Sequence, residues 1–126
     1  MMAAVYVHEQ DGEPLRGADD ALDLISAAWE AGATWVAVPA HRLHDDFFRL
    51  RSGVAGEMAQ KFVNYRLGLA IVGDVSRHAT AGSAFQSWVH ESNRGAHLWF
   101  VDDLAELAAR LGPAGGDVGG AQGSSR

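Results

Sequence analysis

Leu67-Gly68-Leu69-Ala70-Ile71-Val72-Gly73-Asp74 is the most continuous apolar run in the chain. A run this short, closed by Gly-Asp, reads as a buried strand rather than a helix. The residues before it change period. Phe47, Leu50, Val54, Met58 and Phe62 recur at helical spacing, which predicts a helix from an Asp45 or Asp46 cap to Tyr65. Beyond it lie a loop with Ser76, Arg77 and His78, then a helix from Thr80 or Ser83 to Asn93. That helix has Phe85, Trp88, Val89 and Ser92 on its inner side and is stopped by Gly95. His97–Val101 is the next short strand, and Asp103-x-x-Glu106 resembles a capping box opening a last helix to Leu111.

The N-terminal third repeats this alternation. Residues 3–8 read as a strand, and the Asp11-Gly12 turn leads to a short extended piece at Pro14-Leu15. Asp19 or Asp20 caps a helix to Ala31, stopped by Gly32, with Leu22, Ile25 and Trp29 on one apolar face. Residues 34–38 form a buried strand before Pro39. Helices between single apolar strands imply an α/β fold in one domain. The expected architecture is a mostly parallel sheet of four to five strands, with helices on both faces and an N-terminal antiparallel hairpin. The domain is expected over residues 1–111, and the Gly-rich stretch 112–126 as a disordered tail.

Composition narrows the function classes. The 126 residues are 48% hydrophobic and 21% charged, as in an ordinary globular domain. The chain has no cysteine, which excludes thiolate metal sites, disulfide scaffolds and a cysteine nucleophile. A formal charge of −6 has the wrong sign for binding nucleic acid or an anionic membrane. No signal peptide or membrane span is visible, so the expected setting is the cytosol.

Two places on the chain could carry chemistry. In an open α/β sheet ligands bind beyond the carboxyl ends of the strands. That rule collects His41, His44, Asp45 and Asp46 after one strand, Asp74, Ser76 and His78 after the next, and Asp102 and Asp103 after the last. His41, His44, Asp74 and His78 are the candidate acid–base groups, since histidine titrates near neutral pH. Helix capping and solvation account for many of the same side chains. His41-x-x-His44 lacks a third ligand at fixed separation, so no metal is assigned and no cofactor is implied.

The second place is the helix Gly53–Tyr65, where Gly53, Glu57, Gln60 and Asn64 share a face. Glu57 and Lys61, the only lysine, are an i, i+4 pair in the favourable order. Glycine inside a helix costs roughly 1 kcal/mol relative to alanine. Gly56 therefore points to a close approach by another backbone, a ligand or a partner. Gly53 has a simpler alternative, that it precedes the helix proper and Ser52 caps it.

The string Phe47-Phe48, Gly53 through Tyr65, Leu69–Asp74 and Glu91-Ser92-Asn93-Arg94-Gly95 resembles the uncharacterised bacterial domain-of-unknown-function family 4180. The resemblance implies a bacterial cytosolic protein and brings no established activity. A fold-level resemblance to the STAS, SpoIIAA-like superfamily implies a phosphorylation switch at a serine on a helix N-terminus, with Ser76 the nearest position. The residues flanking Ser76 depart from that motif. Two functions follow as expectations. One is a small regulatory or ligand-binding module acting through a protein partner or self-association as a homodimer, with a small molecule as a further ligand. Its surface would include Gly53, Gly56, Glu57, Gln60, Lys61, Asn64 and Ser76. The other is a small cofactor-independent biosynthetic enzyme using the His and Asp groups at the sheet rim.

Overall fold

A computed structural model of the chain describes residues 5–49, 52–75 and 83–115. Four strands, β1 (Val5–Val7), β2 (Trp35–Pro39), β3 (Gly68–Val72) and β4 (Leu98–Val101), form one sheet in the order β1-β2-β3-β4. All three pairings are parallel, with Val36 opposite both Tyr6 and Leu69, and Ile71 opposite Phe100. Helices α1 (Ala18–Ala31), α2 (Val54–Asn64) and α3 (Ser83–Asn93) fill the three crossovers, and α4 (Leu104–Gly115) follows β4. The α/β single-domain reading is thus the fold observed.

The sequential strand order decides where the helices go. When each right-handed crossover steps to the next strand in the same direction, every crossover helix falls on the same face. The main core accordingly gathers Leu24, Ile25, Met58, Phe62 and Phe85 against Val36, Val38, Leu69, Ile71 and Phe100. The intervening strand residues Trp35, Ala37, Ala70, Trp99 and Val101 point the other way and meet Leu107 of α4. Helices therefore cover both faces, three against one. On the α4 side Trp35 and Trp99 stack with ring centroids 4.2 Å apart, and the Arg110 guanidinium lies 4.3 Å from the Trp99 ring. Gly68 makes this stack possible: a Cβ there would sit 2.3 Å from the Trp35 ring.

Several expectations need correction. No antiparallel hairpin forms among the described residues. The chain leaves β1, turns at Gly12 (φ +143°), and brings Leu15 beside Leu43 in a parallel bridge. The predicted helix from Asp45 to Tyr65 is two pieces. Asp45–Phe48 is a 3₁₀ turn, and α2 begins only after Gly53, whose φ of +80° is left-handed and cannot continue a helix. Gly53 thus precedes the helix proper, and the Ser52 hydroxyl accepts from the Val54 amide at 3.2 Å. Asp19 and Asp20 lie inside the first turn of α1, and the Asp20 carboxylate reaches back to the Arg16 amide at 2.6 Å. Trp29, placed on the apolar face with Leu22 and Ile25, is 58% exposed and so not in the core of the single chain. The helix α4 runs on to Gly115, past the expected helix end at Leu111.

Other expectations hold. Gly32 closes α1 with φ +71°, and Phe47, Met58 and Phe62 are buried. Asp103 Oδ1 accepts from the Glu106 amide at 2.8 Å while Glu106 accepts from the Asp102 amide at 2.7 Å, the reciprocal bonding of a capping box. Among the described residues no helix is long and apolar enough to cross a membrane.

Candidate functional site

Because every strand is parallel, the carboxyl ends of β1 to β4 share one edge of the sheet. What organises the β1–β2 half of that edge is Arg42, the only buried charged side chain among the described residues. Its Nη1 donates to the carbonyls of Glu9 at 2.7 Å and Asp11 at 2.9 Å, and Nη2 donates to that of Glu13 at 2.9 Å. One guanidinium fork thereby satisfies three loop carbonyls that no strand partner reaches. The backbone closes the same junction, with Leu15 N donating to Arg42 O and His44 N donating to Leu15 O. Gly12 is needed twice, for its φ and because a Cβ would lie 2.6 Å from Arg42 Nη2.

The rim histidines serve the same loops. His41 Nε2 donates to the Gln10 carbonyl at 2.6 Å, tying the 3₁₀ turn Ala40–Arg42 to the loop after β1. His44 precedes the turn Asp45–Phe48, and its Nδ1 accepts from the Asp46 amide at 3.1 Å. That bond requires an unprotonated Nδ1, so the ring proton sits on Nε2 and the imidazole acts as an N-cap. The Asp46 carboxylate lies 3.6 Å from the same nitrogen. Asp74 is exposed just beyond Gly73, while Ser76 and His78 lie outside the described residues. Among the described residues no three His, Asp or Glu side chains gather as metal ligands.

His8, which the sequence reading passed over as a strand residue, belongs to this corner. Both its ring nitrogens are buried without a hydrogen-bond partner, as is Arg42 Nε. Burial pulls the imidazole below its ordinary value of 6.5, and the Arg42 guanidinium pushes the same way, against the opposing carboxylates of Glu9 and Asp20. His8 is thus held neutral. The sole sequence signal for this arrangement was a histidine closing one strand and an arginine shortly after the next.

The α2 surface looks different. Gly53, Gly56, Glu57, Gln60, Val63 and Asn64 are exposed, and Lys61 is half-buried at their edge. Among the described residues a Cβ at Gly56 would meet nothing within 4 Å, so no contact with them requires this glycine. Gln60 donates to Asn64 Oδ1 at 2.9 Å. The expected Glu57–Lys61 pair is not made: neither side chain forms an ion pair or hydrogen bond with a described residue. The attraction of such an exposed pair is only a few tenths of a kcal/mol, comparable to the entropy of holding two long side chains. At the far end of the face Tyr65, 39% exposed, meets Trp29 edge-on with centroids 5.4 Å apart. Val63 beside them is also 39% exposed.

The motif Glu91–Gly95 is structural. Asn93 Oδ1 accepts from the Phe100 amide at 2.7 Å on the outer side of β4, and Gly95 O accepts from Trp99 Nε1 at 2.8 Å. Arg110 donates to the Asn93 carbonyl, tying α3, β4 and α4 together. A domain-of-unknown-function family model, DUF4180, matches residues 2–111. No curated protein and no solved structure gives a significant match, so the STAS likeness carries no argument.

Proposed function

The chain belongs to the DUF4180 family, and we propose that it works as a small protein-interaction module whose contact surface is the outer face of α1 and α2. The observation that carries this reading is Trp29, 58% exposed and edge-on to an exposed Tyr65. Trp and Tyr are the residues most enriched where protein surfaces meet, and burying apolar area gains about 25 cal/mol per Å². Alongside runs a helix face with two glycines and few charges, and Gly56 has open space where a side chain would stand. Its helix-propensity cost has no return inside the chain. An acidic, cysteine-free composition suits a bacterial cytosolic protein of this kind.

The acid–base alternative at the strand ends would rest on His41 and His44, and each commits a ring nitrogen to backbone, His41 to the Gln10 carbonyl of the loop after β1 and His44 to the Asp46 amide of its own turn. The helix-layer reading is tested by light scattering of the full chain across a wide concentration range, beside Trp29→Glu. Wild type is expected to associate as concentration rises. Trp29→Glu is expected to stay monomeric with an unchanged melting temperature, because the side chain it replaces is exposed. A wild type monomeric at every concentration, or association indifferent to Trp29→Glu, overturns the reading.

A further inference from the structure

Resting on that reading, we propose that the surface seated on α2 is α2 of a second copy, running antiparallel about a two-fold axis that crosses the helix between Ala59 and Gln60. The argument is self-complementarity. An isologous contact requires every feature of the face to find its counterpart on the same face turned through 180°. Successive helix residues turn by about 100° and rise by about 1.5 Å, so residues seven apart lie within ~20° of one meridian. Gly56 and Val63 are such a pair, the first open to space and the second exposed. An axis midway between them sets Val63 of the second copy over Gly56, and the reciprocal contact follows by symmetry.

The same axis accounts for the other features within about one residue's rise, ~1.5 Å. It brings Glu57 to Lys61 of the second copy and Lys61 to Glu57, pairing two charges that have no partner among the described residues. Both lie on one flank of the helix, and antiparallel helices related by a two-fold bring like flanks together. Gln60 sits on the axis, its amide already oriented by Asn64. Gly56, an exposed valine and two charges without a partner among the described residues are thus placed by a single operation. Glycine at the crossing lets the helix axes come closer than the usual 8–10 Å.

Charge reversal tests the geometry. Glu57→Lys alone sets lysine against Lys61 of the second copy, and Lys61→Glu alone sets glutamate against Glu57. Each single variant is expected to weaken association at least about tenfold, while an equimolar mixture of the two restores it as a heterodimer. The cysteine-free chain permits a second measurement. Gly56→Cys protein mixed with Val63→Cys protein under mild oxidation is expected to give the mixed disulfide in preference to either symmetric one, since bridged Cα atoms must approach within about 7 Å. Gly56, Glu57 and Val63 are exposed and Lys61 is half-buried, and melting curves confirm that the variants fold. If wild type associates and Trp29→Glu abolishes association, but the charge variants do not complement and no mixed disulfide forms, the antiparallel α2 contact is wrong and the helix-layer reading stands. A wild type that never associates overturns both.

Discussion

Arg42 has the most demanding environment of any side chain in the described structure. Its two terminal nitrogens hold the carbonyls of Glu9, Asp11 and Glu13 at a buried position. A lysine has one nitrogen on a flexible stem and cannot reproduce the planar fork. Arg42→Lys is therefore expected to lower unfolding free energy by about 2 kcal/mol, since charge-assisted hydrogen bonds contribute about 1.5–3 kcal/mol each and are not additive. Urea denaturation measures the loss, and amide exchange should rise across residues 9–13. His8 beside it is kept neutral by burial and by Arg42. An imidazole whose folded value is depressed binds its proton more readily in the unfolded chain, so stability is full above about 6.5 and declines as pH falls through the window below it. Replacing His8 by Phe should flatten that decline relative to wild type in denaturation curves taken at successive pH values. Neither role was legible in the sequence. A buried arginine runs against composition rules, and its partners are backbone carbonyls, which leave no side-chain pattern.

At the scale of elements, the apolar stripe Phe47–Met58–Phe62 announced the core, and these side chains are buried. The break between the 3₁₀ turn and α2 was hidden because the stripe's spacing passes through it, while Gly53 changes the backbone without changing the period. Trp29 could not be assigned to core or surface from its spacing. Its spacing from Leu22 and Ile25 fits a helical face, but seven residues of drift carry it to the rim of that face, where it meets Tyr65 in solvent rather than the core. The capping box of α4 was readable because its chemistry is local. Gly68 shows what a strand pattern conceals: it reads as one apolar position among several, yet it floors the Trp35–Trp99 stack. Gly68→Ala is expected to cost about 1–3 kcal/mol by overpacking, read as a lower melting temperature together with a weakened near-ultraviolet tryptophan signal.

For the whole molecule, alternation of strands and helices was enough to give a parallel α/β sheet, whereas strand order was not written locally. The order β1-β2-β3-β4 has no reversal, so the sheet lacks the switch point where doubly wound folds open a ligand crevice. His41, His44 and Arg42 knit loops at the edge where that crevice would have been sought. The same order puts α1, α2 and α3 on one face of the sheet, with α2 packed between α1 and the 3₁₀ turn Asp45–Phe48. A broad helix layer is well shaped for meeting another surface, and the glycines and aromatics of α1 and α2 lie there. Gly56→Leu separates this account from a purely intrachain one. In a lone molecule the new side chain enters open space, and a better helix former is expected to raise stability by up to about 1 kcal/mol. In an assembly built on α2 it fills the place of the partner. Sedimentation equilibrium of the full-length wild type and Gly56→Leu proteins is the most direct measurement. The account predicts a wild type approaching twice the chain mass with rising concentration and a Gly56→Leu protein that stays at the single-chain mass while melting no lower. Equal masses for the two proteins at every concentration would contradict it.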